Sequence, residues 1–252
     1  MKILISNDDG VNALGIISLA ESLEQDHEVT VIAPSKERSS CGHGISLGEP
    51  LRLTKFRENV YACTGTPADC ILVGIGQVFK ESKPDLIVSG INHGANLGQD
   101  RYYSGTIAAA REASFRGIPS IAVSLITGPN GGEGFNIAAN FIAKLIKHGV
   151  HKIIPELSVL NVNVPDIPEE QIAGVKVTFA GFQLYSEEVV ERVDTRGKSY
   201  YWVGGTYDGH KDIAGSDCNA VFENYISVNL QSLNGKNYFE YEPLMELIAN
   251  IE

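Results

Sequence analysis

The stretch Lys2-Ile3-Leu4-Ile5-Ser6-Asn7-Asp8-Asp9-Gly10 decides how this chain is read. An apolar strand runs straight into two adjacent carboxylates at its carboxyl end. In open α/β sheets that end of a strand is where ligands bind. Neighbouring carboxylates repel one another there unless one takes a proton or a cation sits between them. Carboxylate oxygens suit Mg²⁺ and Mn²⁺, so the pair points to metal-assisted chemistry on a small anion. The plainer alternative is a capping acid with a solvated neighbour. Asn7 and Gly10 weigh against it, because they make the whole turn polar and tight.

Outward from this turn, apolar runs alternate with helical patterns, which predicts a mostly parallel sheet flanked by helices. Glu28–Ala33, Asp85–Ser89, Ser120–Ser124 and Val159–Val164 read as strands. Ile16, Leu19, Ala20 and Leu23 recur at helical spacing over 14–25. Thr106–Phe115 reads as an Ala-rich helix, and a further helix spans about 135–148. Thr66-Pro67-Ala68-Asp69 opens another, with Thr66 as its N-cap. Beyond Pro165 the alternation loosens. Val175–Phe179 and Ser199–Val203 look like strands of an arm, Tyr225–Asn229 is read as rejoining the sheet, and Glu240–Ile251 as a terminal helix. Leu244, Leu247, Ile248 and Ile251 line one face of that helix and must be buried somewhere. The expectation is one α/β domain over 1–252: a Rossmann-like core over about 1–165, then an arm and terminal segment over about 166–252.

Lys and Arg number 20 against 31 Asp and Glu, a formal net charge of −11. Such a field argues against nucleic-acid polymers and anionic membrane surfaces as partners. It is compatible with a small phosphate ester if a metal supplies local positive charge. No apolar run approaches the roughly 20 residues of a membrane span. Met1-Lys2 leads directly into strand, without a signal peptide. Cys41, Cys63, Cys70 and Cys218 form no C-x-x-C pair, so a cytoplasmic protein with reduced thiols is the simplest reading.

Three further loops carry candidate chemistry. The long loop 34–48 holds Arg38 and Ser39; a hydroxyl there can ligate a metal and Arg38 can neutralise a phosphate, or the loop is an ordinary turn. Asn92 and Asn96 lie between glycines; their amide oxygens complete hard-cation shells, or they simply form turns. Ser104-Gly105-Thr106 stands at a helix start, where free backbone N–H groups bind anions and a serine caps. His43 and His93 are secondary candidates through their loops, and Asp217 reads as a helix cap. A Rossmann dehydrogenase would want G-x-G-x-x-G after the first strand, where this chain has acids. A haloacid-dehalogenase-type phosphatase would want two Asp spaced by one, and position 10 is Gly. A non-enzymatic nucleotide sensor could share fold and metal, and turnover separates it from an enzyme.

With these loops in view the chain resembles the SurE family, the survival-protein-E nucleotidases and acid phosphatases. The resemblance rests on Asn7-Asp8-Asp9-Gly10, Arg38-Ser39, Gly65-Thr66-Pro67, Ser89-Gly90-Ile91-Asn92, Asn96-Leu97-Gly98, Tyr103-Ser104-Gly105-Thr106 and Asn161-Val162-Asn163-Val164-Pro165. It implies one divalent cation per subunit, Mg²⁺ or Mn²⁺, held by Asp8, Asp9, Ser39 and Asn92. It also implies a phosphate pocket lined by Asn96, Ser104, Gly105 and Thr106. The implied activity is 5′-nucleotidase hydrolysis of nucleoside monophosphates, with 3′-nucleotides and short polyphosphate as further substrates to screen. The catalytic reading gives Asp9 the attacking water and makes Asp8 mainly a ligand, with direct attack by an Asp to form an aspartyl-phosphate as the alternative. The implied assembly is a homodimer with exchanged C-terminal segments, or a homotetramer. One departure stands out: the family usually has Arg-Ser-Gly where this chain reads Arg38-Ser39-Ser40, followed by Cys41-Gly42-His43-Gly44.

Overall fold

Apolar strands with both faces buried pair in parallel when helices cover them, and that is what this chain builds. The computed structural model describes residues 1–126, 134–186 and 188–234. The elements in chain order are β1 (Lys2–Ser6), α1 (Leu14–Leu23), β2 (Glu28–Pro34), β3 (Leu53–Arg57), β4 (Val60–Cys63), α2 (Pro67–Val73), β5 (Leu86–His93) and α3 (Gly105–Phe115). They continue with β6 (Ser120–Ile126), α4 (Gly134–Lys147), β7 (Ser158–Pro165), β8 (Gly174–Thr178) and β9 (Gln183–Tyr185). The last are β10 (Glu188–Val193), β11 (Ser199–Gly204), β12 (Tyr207–His210), α5 (Asp217–Phe222) and β13 (Tyr225–Ser232).

Nine strands form the main sheet in the order β3-β4-β2-β1-β5-β6-β7-β13-β8. The run from β4 through β7 is parallel, whereas β3 and β13 are antiparallel to their neighbours β4 and β7. The expected mostly parallel sheet is therefore present. Its chain order reverses at β1, which pairs with β2 on one side and β5 on the other. This is the switch point at whose carboxyl side a crevice opens. Ile16, Leu19 and Leu23 of α1 and Ala138 and Ile142 of α4 cover one face. Ile71 of α2 and Ala109 and Ala113 of α3 cover the other. The small residues of α3 let it lie close to the sheet.

Four differences from the sequence reading have physical causes. The strand over Val175–Phe179 is no part of an arm: β8 closes the edge of the main sheet beside β13, and its alternating burial is that of a strand covered on one face. The β3–β4 hairpin was not anticipated, because β3 is largely exposed and charged; its turn carries Asn59 at φ +52°, a left-handed position that Asn tolerates. Strand β5 runs on to His93, so Asn92 sits on a strand, opposite Ser124 of β6. Asp217 does not cap α5; Ser216 does, accepting from Asn219 N–H. The return of Tyr225–Asn229 to the sheet holds, and β13 pairs with β7 of its own chain. The expected helix over 240–251 lies outside the described residues.

Candidate active site

The turn after β1 is built by Asn7. Its buried amide donates to Gly10 O at 2.9 Å and accepts from Gly10 N at 3.1 Å. Gly10 takes φ +100°, which a side chain would resist. This closed turn sets Asp8 and Asp9 at the mouth of the switch-point crevice. Asp8 is almost fully buried. Its Oδ2 accepts from Gly105 N at 3.1 Å, and its Oδ1 accepts a short hydrogen bond from Thr106 Oγ1. Burial raises the Asp8 carboxyl above its ordinary range, against the pull of those donors. Asp9 is pushed up to about 6 by burial and by the neighbouring Asp8, while the His93 N–H, 3.2 Å from its Oδ2, works the other way. Two acids so placed, with their charge disfavoured, are a local demand for positive charge.

The start of α3 serves that pair. Ser104 caps the helix, accepting from Ile107 N at 3.1 Å. Gly105 has a steric reason: a Cβ there would lie 2.7 Å from Asp8 Cβ. Thr106 is wholly buried. Gly105 N–H and the Thr106 hydroxyl, expected to line a phosphate pocket, both donate to Asp8 in this structure. Asn92 Nδ2 donates to Gly94 O at 2.8 Å, which leaves Oδ1 on the acid side, 3.4 Å from Thr106 Oγ1.

Ser39 arrives on the long loop after β2. This loop lacks regular structure yet is tied at many points. Arg38 N donates to Asp8 O at 2.7 Å and Gly42 N to Tyr103 O at 2.9 Å. His43 Nε2 lies 3.1 Å from Glu112 Oε2 and its ring stacks on Phe115. Ser46 donates twice to Asp69 and Thr66 Oγ1 donates to Gly44 O. Thr66 caps α2 as expected, and Asp69 completes a capping box with it. Arg38 does not face a phosphate site; its Nη2 donates to Thr64 O at 2.7 Å. Ser40 takes φ +57°, so the left-handed backbone that a glycine would accept is kept here by a serine.

Asp8, Ser39, Asn92, Asn96 and Ser104 line one cleft of about 640 Å³, with His93, Asp100, Tyr103 and Tyr185. Asp9, Gly105 and Thr106 adjoin this lining through His93 N–H, Asp8 Oδ2 and Asp8 Oδ1 respectively. Asn96 is held by a net: its N–H donates to Asn163 Oδ1 and its Nδ2 to Ser124 Oγ, both at 2.8 Å. Asn161 Nδ2 in turn donates to Asn96 O at 2.8 Å. The two asparagines alternate on β7 and could have been read as a polar face pointing at the neighbouring loop. Asp100 and Tyr185 were missed, and no sequence signal joins them across 85 positions before folding makes their hydrogen bond.

Among the described residues no group of three or more His, Cys, Asp or Glu gathers as a metal site. The donors at this cleft are of another kind: two carboxylates, an amide oxygen and a hydroxyl. An all-oxygen set with two acids fits a hard divalent cation rather than a soft one.

The sequence model described as "Survival protein SurE" matches residues 3–187. A protein of Geotalea uraniireducens named 5′-nucleotidase SurE is 47% identical over 238 residues, covering 94% of this chain and 95% of that protein. One of Geobacter sulfurreducens with the same name is 46% identical over 94% of this chain and 90% of its own. The crystal structure of the SurE protein from Aquifex aeolicus superposes with a TM-score of 0.86 at 37% identity, covering 99% of this chain and 100% of that one. Matches of this length and identity settle the relationship: the chain belongs to the SurE family.

Proposed function

We propose that this chain is a divalent-metal-dependent 5′-nucleotidase that hydrolyses nucleoside monophosphates to nucleoside and phosphate. The observation that carries the reading is the convergence of Asp8, Asp9 and Asn92 at the carboxyl side of the β1–β5 switch point. The relatives' name, 5′-nucleotidase SurE, supports the substrate class. Asp8, Asp9, Ser39 and Asn92 would hold one Mg²⁺ or Mn²⁺. When bound, such a cation polarises a phosphoryl oxygen and lowers the pKa of a coordinated water.

The chain's own residues do the rest. Asp8 is held in one rotamer by Gly105 N–H and Thr106 Oγ1, so its geometry is set before substrate arrives. Asp9 uses Oδ2 for the His93 N–H, and in this reading its Oδ1 takes the proton of the attacking water. Ser104 and Asn96 line the cleft, and in this reading they meet the equatorial phosphate oxygens.

In the same reading the protein works in the cytoplasm as a homodimer or homotetramer on small nucleotides rather than nucleic-acid polymers. Among the described residues no helix is long and apolar enough to cross a membrane. Phosphate release from 5′- and 3′-mononucleotides and short polyphosphate, with Mg²⁺, Mn²⁺ or EDTA, is the test. Release from 5′-nucleotides that EDTA abolishes is expected. A chain that binds nucleotides and never releases phosphate would be a sensor.

A further inference from the structure

One acid of the 35–48 loop, Glu37, is bonded directly to a residue of the cleft. Its Oε1 accepts from Ser39 Oγ at 2.7 Å, and Ser39 lines the cleft beside Asp8 and Asn92. Among the described residues the Glu37 carboxylate makes no other hydrogen bond and no ion pair. An exposed glutamate thus keeps its full charge and spends its one protein contact on a hydroxyl.

The backbone fixes where Glu37 sits. Val11 N donates to Pro34 O at 3.0 Å and Arg38 N to Asp8 O at 2.7 Å, so the chain over 34–38 runs along the turn that carries the two aspartates. A Cβ on Gly10 would lie 3.6 Å from Glu37 N, so the two segments touch. The charge of Glu37 is felt at Asp9. Glu37 does not converge with Asp8 and Asp9 as a set of metal ligands, however. It lies outside the donor set, within reach of one member's proton.

We propose that Glu37 is a positioning residue of the cation site that acts through Ser39, holding the hydroxyl proton so that the Ser39 lone pairs face the cleft. This rests on the proposed function for the role of Ser39 as a ligand. A serine hydroxyl has one proton and two lone pairs. To serve a cation it must turn a lone pair inward and its proton away. A carboxylate acceptor fixes that orientation with the stronger, charge-assisted kind of hydrogen bond. It also leaves more negative charge on Oγ, as a carboxylate does for a metal-bound imidazole. The plainer reading is a local loop contact, of the kind serine makes in turns. Such turns bond a side chain to backbone, whereas this bond joins two side chains and closes no turn.

A double-mutant cycle on Mn²⁺ binding tests this, read by calorimetry without substrate. Glu37→Ala is expected to weaken Mn²⁺ about tenfold, the lower end of what an outer partner costs. In a Ser39→Ala background the same substitution is expected to change affinity by no more than about twofold, because no hydroxyl is left to position. Glu37→Gln keeps an oxygen that accepts the hydroxyl, and is expected to hold more affinity than Glu37→Ala. Melting temperatures in EDTA are expected to stay at the wild-type value, since the bond joins two exposed side chains. An equal loss of Mn²⁺ affinity in both backgrounds overturns the proposal, because Glu37 would then act by its charge alone. So does a glutamine as weak as alanine, since the acceptor would not be what counts. Unchanged Mn²⁺ affinity with a lower Tm in EDTA overturns it as well, and makes the bond a loop contact. If the wild type binds Mn²⁺ and AMP releases no phosphate, the proposed function falls while the cycle still upholds Glu37. If Ser39→Ala binds Mn²⁺ like the wild type while AMP is hydrolysed, the proposal falls and the nucleotidase stands.

Discussion

Two walls of the cleft bring oxygen-bearing side chains to the same place by different means. The wall made by β1, β5 and the start of α3 is regular structure: Asp8, Asn92 and Thr106 are held by short chain segments at strand and helix ends. The facing loop over 35–48 has no regular structure, and it delivers Ser39 through contacts to Asp8 O, Tyr103 O, Glu112 and Asp69. Strand ends position a side chain through sheet register, which many residues share. A loop positions it through a few long-range hydrogen bonds, each separately dispensable. Damage to the first wall should therefore strike chemistry, and damage to the second should strike stability and loop order first.

The largest effect is expected from Asp8→Asn. It removes the most deeply buried acid of the set, so Mn²⁺ binding by calorimetry should vanish and activity should fall by at least about 100-fold, more than the loss of an outer partner costs. Circular dichroism should stay native. Wild-type Mn²⁺ affinity in this variant would end the assignment of Asp8 as a ligand.

Thr106→Val comes next and sharpens the same wall. Because the hydroxyl donates to Asp8, its loss should weaken metal affinity by about 10–100-fold, with activity restored by excess Mn²⁺. A fall in kcat at unchanged Mn²⁺ affinity would instead put the hydroxyl on the phosphate.

On the loop wall, Asp69 is the pin to remove. Burial works to raise its carboxyl, but donors on Ser46 and Thr66 outweigh it and hold it below its ordinary range. A group depressed on folding stabilises above its unfolded pKa, roughly 3.9, and that contribution is lost as pH falls through the folded value. Asp69→Asn should cost about 1 kcal/mol near neutrality, a Tm lower by about 2–4 °C. The gap between variant and wild type should close below pH ~4. A gap that persists at low pH would show that the charge is not what Ser46 and Thr66 hold.

The smallest effect tests the departure at Ser40. A left-handed serine costs roughly 1–2 kcal/mol, but glycine offsets about 0.4–1 kcal/mol of that relief because it makes the unfolded chain more flexible. Ser40→Gly should therefore raise Tm by about 1–2 °C at most. A lower Tm would mean that the Ser40 side chain holds the loop.

How much was readable in advance follows from the same contrast. The strand-and-acid stretch at 2–10, the alternation through Val164, the cap at Thr66 and the helix start at Ser104 were all visible, because each rests on neighbours in the chain. Gly105 and Thr106 were legible as site residues, but nothing local shows that Asp8 reaches them across 97 and 98 positions. Val175–Phe179 went to an arm because an alternating strand reads the same in an arm as at a sheet edge, and only pairing with β13 reveals its sheet.

The sequence by itself determined the parallel core, the pair of carboxylates at its switch point and the oxygen-rich donor types, because periodicity, strand ends and side-chain chemistry are local properties. Tertiary structure alone decided which groups hold Asp8, how the 35–48 loop brings Ser39 to it, and that Tyr185, Tyr207 and Phe222 share a recess beside Asp100. These depend on contacts between residues far apart in the chain, and such contacts exist only once the sheet register and the packing of α3 and α5 have brought them together.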